Sequence, residues 1–122
     1  MEYSLYLVCK EKLEEVRGFL GNFFTQSEDE YTHGEWVTFT VPNSNFSINL
    51  MRGEEQEVTK NVTFEIYYDS LSLLQEFALQ NDTQVKSFET SKAAQKYTYY
   101  YVEVLGPANI CKIEASYSED VD

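Results

Sequence analysis

Nine side chains stand out as a recognition surface. Trp36, Thr38, Asn49, Thr63, Glu65, Tyr67 and Glu114 each fall opposite the apolar residues of their own β-prone stretch, because successive side chains of a strand point to opposite sides. Tyr99 and Tyr101 join them from a stretch that also carries Tyr97 and Tyr100. Trp and Tyr offer flat apolar walls with a polar edge, and Asn, Thr and Glu can orient a bound group. Glu114, if desolvated in a pocket, would be raised in pKa and could act as a general base. The same residues also suit a tyrosine-rich sheet whose hydroxyls meet water. Ligand binding, catalysis and plain surface are thus three readings of one face.

Other reactive types carry less. His33 is the one histidine and sits in an acidic stretch, whereas a metal site needs several donors at fixed geometry. Cys9 and Cys111 are too few for a disulfide scaffold and read as two buried thiols. The tyrosine cluster could stack bases, but single-strand binders add a basic groove. This chain carries a net charge of -12, so cross-strand tyrosine pairing is the reading that fits.

The elements that must position these residues follow from periodicity. Residues 3–8 read as a strand and 10–24 as a helix whose last turn Gly18 and Gly21 loosen. Residues 26–34 are polar and acidic and hold at most a short edge strand. Residues 35–41 alternate, with Val37 and Phe39 on one face and Trp36, Thr38 and Thr40 on the other. Pro42-Asn43 turns the chain into a strand over 46–51. Residues 52–60 are a charged connector, read as a hinge. The order then repeats: a strand over 62–68, a helix over 71–80 capped by Asp69 or Ser70, and strands over 84–89, 96–104 and 110–117. The fold class is α+β, built as paired βαβββ modules over 1–53 and 61–118 of one domain spanning 1–122. Each half, at about 60 residues, could hardly bury a core alone.

Composition bounds the function. Hydrophobic residues at 43% exclude a disordered chain. A net charge of -12 argues against nucleic acid and against anionic lipid. No apolar run reaches the roughly 18 residues of a membrane-spanning helix. The first ten residues lack the basic and apolar parts of a signal peptide, so the expected compartment is the cytoplasm.

The paired βαβββ order resembles the vicinal oxygen chelate superfamily, which includes glyoxalase I, bleomycin- and fosfomycin-resistance proteins and extradiol dioxygenases. The segment Leu13-Glu-Glu-Val-Arg-Gly-Phe19 is similar to the family's first helix, and Ser47-Ile-Asn-Leu50 to its fourth strand. Gly106-Pro107-Ala108-Asn109 before Lys112-Ile113-Glu114 resembles the closing turn and Ile-Glu strand, with Gly106 where Asp is usual. The resemblance implies sheets curled around one cleft, and often a homodimer. It also implies a divalent metal held by His or Gln, Glu, His and Glu from the first, fourth, fifth and eighth strands. Here those positions fall on Tyr3 or Leu5, Asn49, Thr63 and Glu114, so only Glu114 remains. The expectation is therefore a metal-free, glyoxalase/bleomycin-resistance-like protein. It would bind a small aromatic or cationic molecule between the modules, through the nine residues above. Two alternatives stand beside it. One is a metal-dependent lyase or dioxygenase with unusual ligands, Glu65 beside Glu114. The other is an acidic module that engages a basic protein through Glu28-Asp29-Glu30, Glu54 to Glu57 and Glu119 to Asp122.

Overall fold

The computed structural model describes residues 1–121, and the chain divides into two compact units. The first holds residues 1–62 together with Gly106–Cys111; the second holds Thr63–Leu105 and the chain from Lys112 on.

In the first unit, β1 (Tyr3–Val8), α1 (Leu13–Leu20), β2 (Thr25–Thr32), β3 (Trp36–Thr40) and β4 (Phe46–Met51) follow in order. The sheet order is β1-β4-β3-β2, with β1 parallel to β4 and the other pairs antiparallel. Leu7, Val37, Phe39, Ile48 and Leu50 are fully buried from the sheet, as are Val16 and Leu20 from α1. Each such side chain contributes about 1.5–3 kcal/mol by leaving water.

Two expectations need correction here. The helix starts at Leu13, preceded by a 3-10 turn over Lys10–Lys12, because Lys10 adopts a left-handed φ of 52° that no continuous helix admits. It ends at Leu20, before Gly21. The polar stretch after it is an edge strand, as expected, but a long one of 8 residues. Among the described residues β2 pairs with β3 alone, so it needs no apolar face, and its acidic side chains suit an open edge. Between Gln26 and Tyr31 its register slips against β3, and a bulge forms. Glu14 ties α1 to this strand: its Oε1 accepts from Arg17 Nε at 2.8 Å and from the Tyr31 hydroxyl at 2.9 Å. Its Oε2 accepts from the Gly34 N–H at 2.8 Å.

The connector after β4 packs on this unit at its far end. The Thr59 N–H donates to the Val8 carbonyl at 2.9 Å, and Thr59 Oγ1 accepts from the Val8 N–H at 2.7 Å. Glu54, Glu55 and Glu57 stay exposed. The hexapeptide Gly106–Cys111 completes the unit. Gly106 lies so close to Phe19 and to the Cys111 carbonyl that a Cβ there would stand 2.5 Å from that oxygen. Cys9 and Cys111 are both buried and free, as their types suggested. Burial pushes the Cys9 thiol up to about 12, with Cys111 adding to the effect, and pushes Cys111 up to about 11. Thiolate is the reactive form, so alkylation by iodoacetamide at pH 8 should run at least about 100-fold slower than in the urea-unfolded chain. Equal rates would show the thiols to be open.

The second unit repeats the plan with β5 (Val62–Tyr67), α2 (Leu71–Gln80), β6 (Lys86–Lys92), β7 (Gln95–Leu105) and β8 (Cys111–Asp120), in sheet order β5-β8-β7-β6. Ser70 caps α2 by accepting from the Leu73 N–H at 3.3 Å. Leu74, Phe77 and Ala78 bury its inner side, and Val102, Ile113 and Ala115 are buried from the sheet. The last three strands run further than periodicity suggested. The β6–β7 hairpin closes through Ala93 and Ala94 at φ 53° and 66°, a left-handed pair usually filled by Asn or Gly. Among the described residues no helix is long and apolar enough to cross a membrane.

Candidate functional site

The register of the first-unit sheet lines up its polar face. Tyr6 on β1 and Thr38 on β3 both stand opposite Asn49 on β4; Ser4 and Thr40 both stand opposite Ser47. Trp36 packs beside Tyr6, with ring centroids 5.9 Å apart and the planes tilted by 59°. These residues line a cavity of about 380 Å³, joined by Glu2 and by Ser27 and Glu30 from the bulged part of β2.

One hydrogen-bond chain fixes the floor. Trp36 Nε1 donates to Thr38 Oγ1 at 3.0 Å, and Thr38 Oγ1 donates to Asn49 Oδ1 at 2.7 Å. An indole nitrogen can only donate. Thr38 must therefore accept there and pass its single hydrogen onward, which orients the Asn49 amide. Thr38 and Asn49 are each only 5% exposed. Of the nine residues singled out in the sequence, Trp36, Thr38 and Asn49 line this cavity. Ser4, Tyr6, Ser47, Glu2 and Glu30 line it too and were not among the nine, although Tyr6 alternates with Leu5 and Leu7.

The second unit gathers most of the remaining candidates. Thr63, Glu65 and Tyr67 alternate out of the half-buried row of β5, and all three are exposed. The β7–β8 register puts Tyr99 and Tyr101 on the same side as Glu114 and Ser116. The Tyr99 hydroxyl lies 2.5 Å from Glu65 Oε2 and 2.6 Å from Glu114 Oε2, and the Ser116 hydroxyl donates to Glu65 Oε2 at 3.3 Å. A phenol has one hydrogen and serves one carboxylate at a time. Desolvation raises the Tyr99 phenol far above its ordinary value, and the Glu114 and Glu65 carboxylates add to this. Desolvation would also raise Glu65, but hydrogen bonds, first from Tyr67 and then from Tyr99, hold it below its ordinary range. Tyr101 stacks on Tyr99 at 5.7 Å, and Phe88 meets both rings edge-on. Thr63 has no part in these contacts.

A divalent metal of the kind the sequence resemblance implies finds a poor donor set. In the first unit the Asn49 amide oxygen already accepts from Thr38, and Leu5 offers no donor atom. In the second unit Glu65 and Glu114 stand with a hydroxyl rather than a third carboxylate or an imidazole. Among the described residues no three His, Cys, Asp or Glu side chains group together. Of the three acidic runs, Glu28 to Glu30 lie on β2, Glu54 to Glu57 in the connector, and Glu119 and Asp120 at the end of β8; Asp122 lies outside the described residues.

No family model matches the sequence, and no curated protein matches it significantly. Solved structures do resemble it. A lactoylglutathione lyase from Agrobacterium tumefaciens superposes with a TM-score of 0.58 at 12% identity, covering 96% of this chain and 92% of that one. A member of the glyoxalase/bleomycin resistance protein/dioxygenase superfamily from Sphaerobacter thermophilus gives 0.54 at 9% identity, covering 96% of each chain. A glyoxalase/bleomycin resistance protein from a Streptomyces species gives 0.53 at 9% identity, covering 94% of this chain and 98% of its own. At these identities the likeness is one of fold.

Proposed function

We propose that this chain, whose fold is that of the glyoxalase/bleomycin-resistance/dioxygenase superfamily, binds a small organic molecule without a metal to hold it. The ligand rests on the polar face of the first-unit sheet. One observation carries the reading: the Trp36–Thr38–Asn49 relay fixes a buried amide at the floor of a cavity walled by Trp36 and Tyr6. An oriented amide beside a flat aromatic wall is how small-molecule sites combine specificity with apolar contact. Thr63, Glu65, Tyr67, Tyr99, Tyr101 and Glu114 form a second polar surface, on the other unit, for the same class of partner. A second reading, a divalent ion between Glu65 and Glu114, is favoured by their convergence on the Tyr99 hydroxyl.

Trp36 is the one tryptophan of the chain, so its emission reports on the cavity directly. A set of small aromatic and amine-bearing compounds should shift that emission saturably. Thr38→Val keeps the side chain's shape but breaks the relay, and should weaken the best compound about 10-fold. A flat response to the whole set would overturn the binding reading. Native mass spectrometry of protein purified without chelator separates the second reading: one divalent ion per chain, lost in Glu65→Gln, would establish it. The same spectrum reads monomer or homodimer.

A further inference from the structure

We infer that the first-unit cavity takes an amine-bearing sugar, a class of ligand that rests on the binding reading above. Three independent features select it. The first is the amide of Asn49. With Oδ1 occupied by Thr38, its two Nδ2 hydrogens have no acceptor among the described residues. Among the described residues no fully buried side-chain nitrogen or oxygen lacks a partner, so this nitrogen of a residue only 5% exposed opens on the cavity it lines. A ligand seated there must bring an oxygen acceptor, and a ring hydroxyl is one.

The second feature is the wall. Ser4 and Ser47 stand in register on neighbouring strands, and neither hydroxyl has a partner among the described residues, nor does that of Tyr6. A hydroxyl donates and accepts at once, so a row of free ones matches a ligand that is itself hydroxylated. Trp36, half-buried beside Tyr6, offers the flat plate on which the C–H side of a saturated ring can lie. The volume of about 380 Å³ is near the small end for ligand sites, which run from about 300 to 1,000 Å³, and suits one or two rings.

The third feature is charge. Glu2 and Glu30 reach the cavity from the start of the chain and from the bulge of β2, and neither forms an ion pair among the described residues. Ionised carboxylates only accept. A neutral hydroxyl would satisfy them, but an ammonium group gives shorter, stronger, charge-assisted bonds. The net charge of -12 further concentrates cations near the surface.

The test titrates D-glucosamine and D-glucose into the full chain at low salt, by Trp36 emission and by calorimetry. Glucosamine should bind at least 10-fold tighter than glucose. The double variant Glu2→Gln/Glu30→Gln should erase that difference while leaving the melting temperature unchanged, and 0.5 M salt should shrink it in the unaltered protein. Equal affinity for the two sugars overturns the amine. If neither sugar binds while Trp36 still answers the aromatic and amine-bearing set, the sugar class falls and the cavity remains a ligand site. If no compound of any kind binds, both readings fall together.

Discussion

Phe39→Ala should cost about 3–5 kcal/mol of stability, the range for emptying a buried aromatic site, and lower the melting temperature by about 10–20 °C. Phe39 is the largest fully buried side chain among the described residues and pairs across the sheet with Ile48. Domains of this size have about 5–15 kcal/mol to lose, so the variant would sit near the edge of folding. The neighbouring change Thr40→Ala touches an exposed residue with one long bond of 3.4 Å to the Thr25 carbonyl, and should stay within about 0.5 kcal/mol. Urea titration of both variants checks the contrast. A loss below about 1 kcal/mol for Phe39→Ala would place that ring outside the core, and with it the alternation that aims Trp36 and Thr38 at the cavity.

Glu14→Gln should remove a second, pH-dependent share of stability. Burial alone would raise the Glu14 carboxyl, but the Gly34 N–H and the Arg17 and Tyr31 side chains outweigh it and lower the group to about 2. His33 Nδ1 also faces the cluster, 3.0 Å from the Tyr31 hydroxyl and 3.5 Å from Glu14 Oε1. A carboxyl depressed in the folded state contributes stability that is complete above its unfolded pKa of 4.5 and is lost as pH falls towards about 2. With the side chain 29% exposed, solvent screening trims the contribution to about 1–2 kcal/mol. Glutamine offers one acceptor where three donors converge, so the variant should lose that amount at pH 7. Its stability should also fall less steeply than that of the unaltered protein between pH 4.5 and pH 2. Some acid sensitivity will persist, because Glu65 and Glu103 are lowered too. Parallel acid limbs for the two proteins would refute the assignment to Glu14.

The elements were legible wherever burial was one-sided. Val37 and Phe39 against Trp36 and Thr38 write β3 into the sequence, and Ser70 announces α2. The misjudged stretches share a cause: their structure is set by partners rather than by pattern. β2 is a strand because β3 offers an edge, not because Thr25–Thr32 has an apolar face. β6 runs on because Ala93 and Ala94 adopt left-handed angles that no composition rule assigns to alanine. At the site, face membership was readable but adjacency was not. That Tyr6, Asn49 and Thr38 form one row depends on register, and that Tyr99 meets both Glu65 and Glu114 depends on the sheet order β5-β8-β7.

The hexapeptide Gly106–Cys111 sets a timetable for the newborn chain. Domains generally fold as units during synthesis, N-terminal first. Here the first unit cannot close when its own strands have left the ribosome. The Asn61 and Val62 N–H groups wait for the carbonyls of Asn109 and Ile110, at 2.7 and 3.0 Å in the finished protein, and Phe19 waits for Gly106. Nearly the whole of the second unit is translated before those partners emerge. The early half therefore closes only when residues 106–111 emerge, just ahead of the strand β8 that the second sheet needs, and a ribosome stalled before residue 106 leaves behind an unfinished fold rather than a free-standing half.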